Sequence, residues 1–423
     1  MNAFSYKNRD LYAENVAISA IAADVGTPLY IYSTQAMQEA YKAFTNAFSS
    51  QRTQVCFAMK SNSNLAVIKT LADLGAGADV VSNGELMKAI SAGVKPKKIV
   101  YSGVGKTYEE LSAGIEAGIL QFNVESLPEL LSLSDIAASK NTSVDIAIRV
   151  NPDVDAETHH KISTGRREDK FGIDISQAKD IFKQAFSLPG LNPVSIAVHI
   201  GSQLTDLTPF ETAFKNVAKL TRDLRSNGIE IKRLDLGGGL GISYGNNTAP
   251  NPNDYAKIVE RTIGNLDCDL IFEPGRYLTG NAGILLTRVI YYKDTGYRRF
   301  VVVDAAMNDL LRPALYDAQH SIQEAREPLG TADLIKVDIV GPVCETGDTF
   351  ATEYPLSSPV SGDLLVIKDT GAYGAVMAST YNSRLLVPEV LVSGKDYALI
   401  RRRETLEEQI SRELLAPWQN NIK

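Results

Sequence analysis

VCFAMKSN, residues 55–62, joins five apolar residues to a lysine and two small polar residues. A short apolar run of this kind is typical of a buried strand in a parallel sheet. Lys60 then stands at the end of the strand, where a lysine usually extends its amine into water. An amine held in an apolar cavity is instead a nucleophile near neutral pH, because lost solvation lowers its pKa. Both interpretations fit these residues alone.

Seven further apolar or β-branched runs follow, separated by stretches with helical periodicity. The eight predicted strands are residues 54–59, 78–82, 97–102, 120–124, 144–150, 194–200, 231–236 and 269–274. Strands that alternate with helices predict a parallel α/β sheet, and eight units predict a TIM-type (βα)8 barrel. An open, doubly wound sheet is the alternative, because the same alternation permits it.

The chain has 423 residues, more than the roughly 250–300 at which one hydrophobic core stops growing, so two domains are expected. After residue 280 the sequence consists of short strand-like runs and turns, with a final helix at 403–415. This pattern predicts a mostly-β, sandwich-like second domain. We expect the domains to be 34–280 for the barrel and 1–33 plus 281–423 for the β domain, since the run at 28–33 precedes the first helix.

Charge and cysteine content limit the class of protein. The 43 basic and 50 acidic residues give a net charge of −7, which provides no overall attraction to nucleic acid or to an anionic membrane. The three cysteines do not suggest a disulfide framework, and the first ten residues lack the apolar stretch of a signal peptide. We expect a cytoplasmic enzyme acting on a small molecule, without a metal site or a membrane span.

Catalytic groups of a (βα)8 barrel lie at the carboxyl ends of its strands. The predicted strand ends carry Lys60, Asp79 with Ser82, Arg149, HIGS (199–202), GGGLG (237–241) and EPGR (273–276). The glycine run is followed by polar, turn-rich sequence, so no helix begins there to bind a dinucleotide pyrophosphate. Glycines at a barrel rim can instead offer backbone N–H groups to one phosphate, together with Ser202 and the amides of EPGR.

His199 and Glu273 each allow two interpretations. His199 is either an ordinary core histidine or a ring that stacks on a flat cofactor. Glu273 is either a turn carboxylate or the partner of a protonated ring nitrogen. With a Schiff-base lysine at Lys60 and a phosphate site, the sharper interpretations together indicate pyridoxal 5′-phosphate (PLP).

The predicted β domain carries Arg312, Tyr316, Cys344 and Glu345. Cys344 is either a small buried hydrophobe or a thiol that donates a proton to a carbanion. Arg276 and Arg312 offer planar forks suited to a substrate carboxylate, and Glu345 can balance an ammonium group.

Ordered motifs along almost the whole chain resemble the diaminopimelate decarboxylases, a fold-type III, alanine-racemase-like family of PLP enzymes. The motifs are FAMKSN, GADVVSNGEL, RVNPDVDAETHHKISTG, KFGI, HIGSQ, DLGGGLGI, EPGR, AAMNDLLRPALYDAQH, GPVCETGD, GAYGAVMASTYNSR and PEVLV. The resemblance implies decarboxylation of meso-2,6-diaminopimelate to L-lysine by a homodimer with shared active sites. Related decarboxylases of ornithine or arginine, and a non-catalytic PLP-binding homologue, are the alternatives.

The resemblance also implies roles for individual residues. Lys60 and Cys344 would be catalytic, with Cys344 and Glu345 reaching the partner subunit's site. The cofactor residues would be Lys60, Asp79, His199, Ser202, Gly238, Gly239, Glu273, Gly275, Arg276 and Tyr373. The substrate residues would be Arg276, Arg312, Tyr316, Glu345 and Tyr373.

Overall fold

The structure, a computed structural model, describes residues 3–155, 164–165, 168–245, 248–328 and 334–419. Residues 156–163, part of the motif at 149–165, therefore lie outside the described residues. The chain divides into two compact units, Ala36–Asn281 and the combination of Met1–Gln35 with Ala282–Lys423. We refer to them as the barrel unit and the β-rich unit.

The start of the chain belongs to the β-rich unit. Strands β1 (Phe4–Lys7), β2 (Asp10–Ala13) and β3 (Val16–Ala17) form a small antiparallel sheet. Helix α1 (Ile18–Val25) and strand β4 (Leu29–Ser33) follow. Every residue of β4 is buried, because the strand lies inside a larger sheet, parallel to one neighbour and antiparallel to the other.

A closed ring of parallel strands forms the barrel unit. Its strands are β5 (Thr53–Ala58), β6 (Gly77–Val80), β7 (Ile99–Tyr101), β8 (Gln121–Val124), β9 (Val144–Asn151), β11 (Leu191–Ala197), β12 (Arg233–Asp235) and β13 (Asp269–Phe272). Each pairs with the next, and β13 pairs with β5 to close the ring. The short β10 (Ile173–Asp174) extends β9 on one side. The predicted (βα)8 barrel is confirmed.

Helices connect the barrel strands. They are α2 (Thr34–Ala47), α3 (Leu65–Ala72), α4 (Asn83–Ser91), α5 (Tyr108–Ala117), α6 (Leu127–Ser139), α7 (Ala178–Ser187), α8 (Thr208–Ser226), α9 (Pro252–Ile263) and α10 (Arg276–Thr279). Local chemistry sets where two of them begin. Asn64 accepts a hydrogen bond from the Ala66 N–H, and Ser82 accepts one from the Glu85 N–H, which satisfies amides that a helix start leaves unpaired.

Aromatic side chains fill the space between helices and strands near the closure of the barrel. The rings of Phe48 and Phe272 lie 4.3 Å apart between centroids, and those of Phe210 and Tyr255 lie 4.9 Å apart. Phe44 contacts Phe48 and Phe272 as well. Because each large buried side chain contributes roughly 1.5–3 kcal/mol, this cluster attaches α2 and α9 to β13.

The rest of the β-rich unit is mostly strand, as predicted. Its elements are β14 (Gly283–Asp294), β15 (Arg299–Val303), α11 (Arg312–Tyr316), β16 (Ile322–Glu324), β17 (Ile335–Val340), β18 (Thr349–Leu356), β19 (Leu364–Ile367), β20 (Glu389–Ser393), β21 (Asp396–Arg401) and α12 (Leu406–Ile410). The first half of β14 pairs with β4 and β19, and its second half pairs with β15. One long strand thus connects the two halves of a nine-stranded sheet.

Several predicted elements extended beyond their observed ends, among them the final helix and strand β5. The final helix covers only Leu406–Ile410 of the predicted 403–415, although Thr405 and Glu408 form a capping box. Leu414 is 93% exposed, so the following turn has no apolar surface to bury and packing does not extend the helix. Strand β5 ends at Ala58, and Met59–Ser61 form a 3-10 turn that carries Lys60.

The aromatic cluster gives a test of barrel stability. Phe272→Ala should lower the free energy of unfolding of the barrel unit by about 3–5 kcal/mol, because it leaves a cavity among buried rings. Native-state hydrogen exchange of the strand amides measures this change. Phe186→Ala is the control: that ring is 51% exposed in α7, and its removal should change the free energy by less than about 0.5 kcal/mol. Equal effects of the two substitutions would contradict the assignment of the cluster to the core.

Candidate active site

A cavity of about 290 Å³ lies at the carboxyl ends of the barrel strands. The side chains that line it include Lys60, Ser102, Asn123, Arg149, His199 and Glu273. Each lies near the carboxyl end of a different barrel strand. Ring closure brings them together, since parallel strands place all their carboxyl ends at one rim.

Lys60 is held at this rim by Asp79. Its Nζ lies 3.0 Å from Asp79 Oδ2, while the Asp79 side chain is fully buried in β6. The other oxygen, Asp79 Oδ1, is buried and accepts no hydrogen bond from any described residue. A buried oxygen without a donor is costly, so this atom marks a position where a polar group of a ligand would be stabilised.

His199 stays neutral in the cavity. Its Nδ1 accepts a hydrogen bond from the Gly238 N–H at 3.1 Å. Burial first, and then the positive charges of Lys60 and Arg149, hold the pKa of His199 well below its usual value. The ring is therefore an uncharged, oriented plane, and the Gly238 amide that the sequence assigned to a phosphate is used by His199 in this arrangement.

The glycine run after β12 is required by close packing. A Cβ on Gly238 would lie 2.2 Å from the carbonyl oxygen of Glu273. A Cβ on Gly239, where φ is +108°, would lie 2.6 Å from the carbonyl oxygen of Gly201. Only glycine allows the backbone to approach its neighbours so closely at both positions.

Glu273 lies beside a second buried carboxyl group that sequence analysis did not single out. Asp235, the last residue of β12, accepts hydrogen bonds from Asn123 Nδ2 at 3.0 Å and from the Gly237 N–H at 3.1 Å. The same Asn123 nitrogen lies 3.2 Å from Glu273 Oε1. Burial first, and then the neighbouring carboxylates, raise the pKa of Glu273 well above its usual value.

Arg149 is the other group whose role the sequence left open. Its Nη1 lies 2.8 Å from Glu125 Oε1, and its guanidinium lies 4.9 Å from the centre of the Phe171 ring. Glu125 is itself held by the N–H groups of Gly103 and Gly172. The pair is therefore rigid. In the sequence, the only indication that Arg149 belongs to the site was its position at the end of the fifth predicted strand.

Ser202 and Arg276 meet at the rim. Arg276 Nη2 donates to Ser202 Oγ at 3.1 Å, and Nη1 donates to the Tyr244 hydroxyl at 2.5 Å. Next to Arg276, a Cβ on Gly275 would lie 2.9 Å from Ser61 Oγ, so the backbone there is also closely packed. A guanidinium beside a hydroxyl suits an anion such as a phosphate or a carboxylate.

Cys344 and Glu345 lie on the turn between β17 and β18 in the β-rich unit. Cys344 is exposed, so its interpretation as a buried hydrophobe was wrong. Its N–H donates to Asn382 Oδ1 at 2.9 Å. Asp348 organises the turn by accepting from the N–H groups of Val343 and Met307 at 2.7 and 2.6 Å. The thiol is thus presented to solvent by a well-braced turn.

Arg312, at the start of α11, is oriented by a histidine that sequence analysis did not assign. Arg312 Nη1 lies 2.7 Å from His320 Nε2, and His320 Nδ1 lies 2.7 Å from the carbonyl oxygen of Lys368. A carbonyl only accepts, so Nδ1 carries the proton and Nε2 accepts from Arg312. Both side chains are almost fully buried. No motif spacing identifies His320 as a site residue; the only indication in the sequence is its position at the end of YDAQH, residues 316–320.

The predicted site residues fall into one group in each unit. The barrel unit carries Lys60, Asp79, His199, Ser202, Gly238, Gly239, Glu273, Gly275 and Arg276. The β-rich unit carries Arg312, Tyr316, Cys344, Glu345 and Tyr373. Tyr316 is the last residue of α11, and Tyr373 has a φ of +55° in the segment after β19.

Residues 34–280 match the family model described as "Pyridoxal-dependent decarboxylase, pyridoxal binding domain". The diaminopimelate decarboxylase of Pseudomonas aeruginosa is 46% identical to the chain over 417 residues, which cover 99% of this chain and all of that protein. The chain belongs to the diaminopimelate decarboxylase family. This membership confirms the resemblance seen in the motifs and gives PLP as the cofactor.

Solved structures agree with this assignment. The diaminopimelate decarboxylase of Helicobacter pylori, complexed with L-lysine, has a TM-score of 0.90 and 41% identity over 93% of this chain and 98% of its own. The enzyme of M. jannaschii, in co-complex with L-lysine, has a TM-score of 0.94 and 38% identity over 99% of this chain and 100% of its own. In the described part of the chain, no helix combines the length and apolar character that crossing a bilayer requires.

The barrel cavity fits PLP by its own chemistry. Lys60 supplies an amine for the cofactor aldehyde, and the buried Glu273 carboxyl suits a ring nitrogen. The buried Asp79 Oδ1 lacks a donor, as expected where a polar group is to be bound. Arg276 and Ser202 supply donors for a phosphate.

Glu85, in the first turn of α4, gives a test of the electrostatics near Asp79. Burial first, and then the charge of Asp79, raise the pKa of Glu85 to about 7. The folded protein therefore binds this proton more tightly than the unfolded chain, so the contribution of Glu85 to stability is lost as pH rises from about 4.5 to 7.

Replacing Glu85 with glutamine removes this dependence. The free energy of unfolding of Glu85→Gln minus that of the wild type should be larger at pH 8 than at pH 5. The increase should be roughly 2 kcal/mol, after allowance for partial exposure. Urea unfolding at the two pH values measures it. Glu109→Gln, at an exposed first-turn position of α5, is the control and should leave the pH dependence unchanged. A parallel shift of both variants would contradict the raised pKa.

Proposed function

We propose that this protein removes CO₂ from meso-2,6-diaminopimelate to give L-lysine, the last step of lysine biosynthesis, in the cytoplasm. The observation that supports it is the barrel-rim set of Lys60, Asp79, His199 and Glu273 in a chain similar over its full length to enzymes of this name. When bound, PLP acts as an electron sink for the carbon that loses CO₂.

Lys60 is the residue that attaches the cofactor. Asp79 holds the Lys60 amine 3.0 Å away and stabilises its charge, so Lys60 can give up and recover a proton at Nζ without leaving the site. Glu273 pairs with the ring nitrogen through its buried carboxyl group, and the neutral His199 ring provides a flat apolar face. Ser202, Gly238, Gly239, Gly275, Arg276 and Tyr373 complete the cofactor site.

Substrate recognition depends on charge at both ends of the amino acid. Arg312, held by His320, and Arg276 bind a carboxylate, and Tyr316 and Tyr373 line the substrate site. Glu345 balances a substrate ammonium group. A substrate with a cationic end and no second carboxylate, such as ornithine or arginine, would offer Arg312 no carboxylate at that end.

Cys344 is the proton donor to the substrate carbon after CO₂ has left. We propose that the protein is a homodimer and that Cys344 and Glu345 of each subunit complete the barrel site of the other. The exposed position of the Cys344 turn supports this arrangement, since a thiol facing solvent is available to a second subunit. In this proposal the barrel domain is 34–280 and the β domain is 1–33 plus 281–423.

The first experiment offers meso-diaminopimelate, L-ornithine and L-arginine separately to the purified protein with PLP. L-Lysine should form from the first substrate alone, and Lys60→Ala should abolish it. Turnover of ornithine or arginine would overturn the substrate site while keeping PLP. A visible imine absorption band without any turnover would favour a non-catalytic PLP-binding protein.

The second experiment tests the proton donor. Cys344→Ala should lower kcat by about 10²–10⁴-fold, because general acid catalysis at this carbon is lost. Steady-state lysine formation measures the change. The control is Cys268→Ala, at a half-buried thiol beside Arg225 in the barrel unit, which should retain wild-type kcat. A Cys344→Ala protein with unchanged kcat would remove the role given to the thiol.

A further inference from the structure

Two carboxyl groups at the floor of the barrel cavity share one amide. Asn123 Nδ2 lies 3.0 Å from Asp235 Oδ2 and 3.2 Å from Glu273 Oε1. Ser102 Oγ lies 3.4 Å from the same Glu273 oxygen, and Gln121 Nε2 lies 3.3 Å from the same Asp235 oxygen. All of these side chains are buried. One side-chain amide therefore ties β12 to the end of β13.

The cations near these carboxyl groups are already paired. Lys60 lies 3.0 Å from Asp79, and Arg149 lies 2.8 Å from Glu125. The buried Lys106 lies 2.6 Å from Glu129. In the described part of the chain, no ion pair joins Asp235 or Glu273 to a cation. Two neighbouring carboxylates without a counter-charge are strongly disfavoured in a buried site, so one of them keeps a proton.

We propose that Asp235 and Glu273, bridged by Asn123, form a two-carboxyl unit that retains one proton at the cavity floor, with Asp235 as the positioning residue for Glu273. The shared donor supports the unit, because one side-chain nitrogen within 3.0 and 3.2 Å of the two carboxyl groups holds them side by side.

The electrostatics assign the proton within the unit. Burial and the Asp235 charge hold the pKa of Glu273 well above its usual range, whereas the pKa of Asp235 is raised only to about 6, by burial and by the charge of Asp79. Near pH 7, Glu273 is therefore protonated and Asp235 is ionised. The other titratable or charged groups around the unit are Cys56, Lys60, Asp79, Arg149, His199 and Tyr255.

The unit has a consequence for the cofactor that rests on the proposed function. Glu273 would hold the ring nitrogen of the cofactor and, as the protonated member of the unit, would donate its carboxyl proton to that nitrogen and remain as a carboxylate. No proton from solvent is needed. Asp235 remains ionised behind Glu273 and opposes loss of the positive charge from the site.

The test uses protein without cofactor, so its outcome is independent of the proposed activity. Infrared pH titration follows the C=O stretch of protonated carboxyl groups, with ¹³C-labelled glutamate to separate Glu273 from Asp235. Asp235→Asn should lower the Glu273 midpoint by about one pH unit or more, because Glu273 titrates while Asp235 is ionised. Glu273→Gln should not lower the Asp235 midpoint, because Asp235 titrates while Glu273 is still neutral.

Two further variants secure the interpretation. Asn123→Ala keeps both carboxyl groups but removes their shared donor, so it should raise the Asp235 midpoint. Asp309→Asn removes a buried carboxyl group of the β-rich unit and should leave both midpoints unchanged. If Asp235→Asn does not fold, the sign of the Asn123→Ala shift decides. A Glu273 midpoint that is unchanged in Asp235→Asn, or an Asp235 midpoint that falls in Asn123→Ala, would overturn the proposal even if lysine is formed.

Discussion

The pairing of β13 with β5 is the constraint on which the barrel site depends. Phe272 lies opposite Val55 in this pairing, so the residues that follow both strands emerge at the same rim. Glu273 comes directly after β13, and Lys60 follows β5 by one short turn. An open sheet with the same strands would leave these two residues at opposite edges. The aromatic rings of Phe44, Phe48 and Phe272 support the closure from the outer side.

Low polarity at the closed rim then governs the chemistry. Charges in such a place interact strongly and are stable only when paired or hydrogen-bonded, which explains the joining of Lys60 to Asp79 and of Arg149 to Glu125. The same environment lowers the pKa of His199 and raises that of Glu273. Burial therefore shifts the pKa of both groups before any ligand is bound.

The glycine run after β12 shows how one motif can serve two purposes. Sequence analysis related Gly238 and Gly239 to a phosphate, because glycine frees the backbone N–H. The structure adds a packing reason, since a side chain at Gly238 would overlap the backbone of Glu273. It also gives the Gly238 N–H a partner in His199. A glycine-rich pattern alone cannot distinguish these uses, because both need only the absence of a Cβ.

The sequence by itself determined eight strands that alternate with helices, a mostly-β second unit and the residues at the strand ends, because hydrophobic periodicity and turn residues are local properties of the chain. The closure of the strands into a ring was decided by the pairing of β13 with β5. Tertiary structure alone decided which side chains meet. Asn123 and Asp235 lie on separate strands and Glu273 follows a third. Arg312 meets His320 through a turn of the chain that no periodicity encodes. Buried polar networks depend on distances between elements, so their members look in the sequence like ordinary core or turn residues.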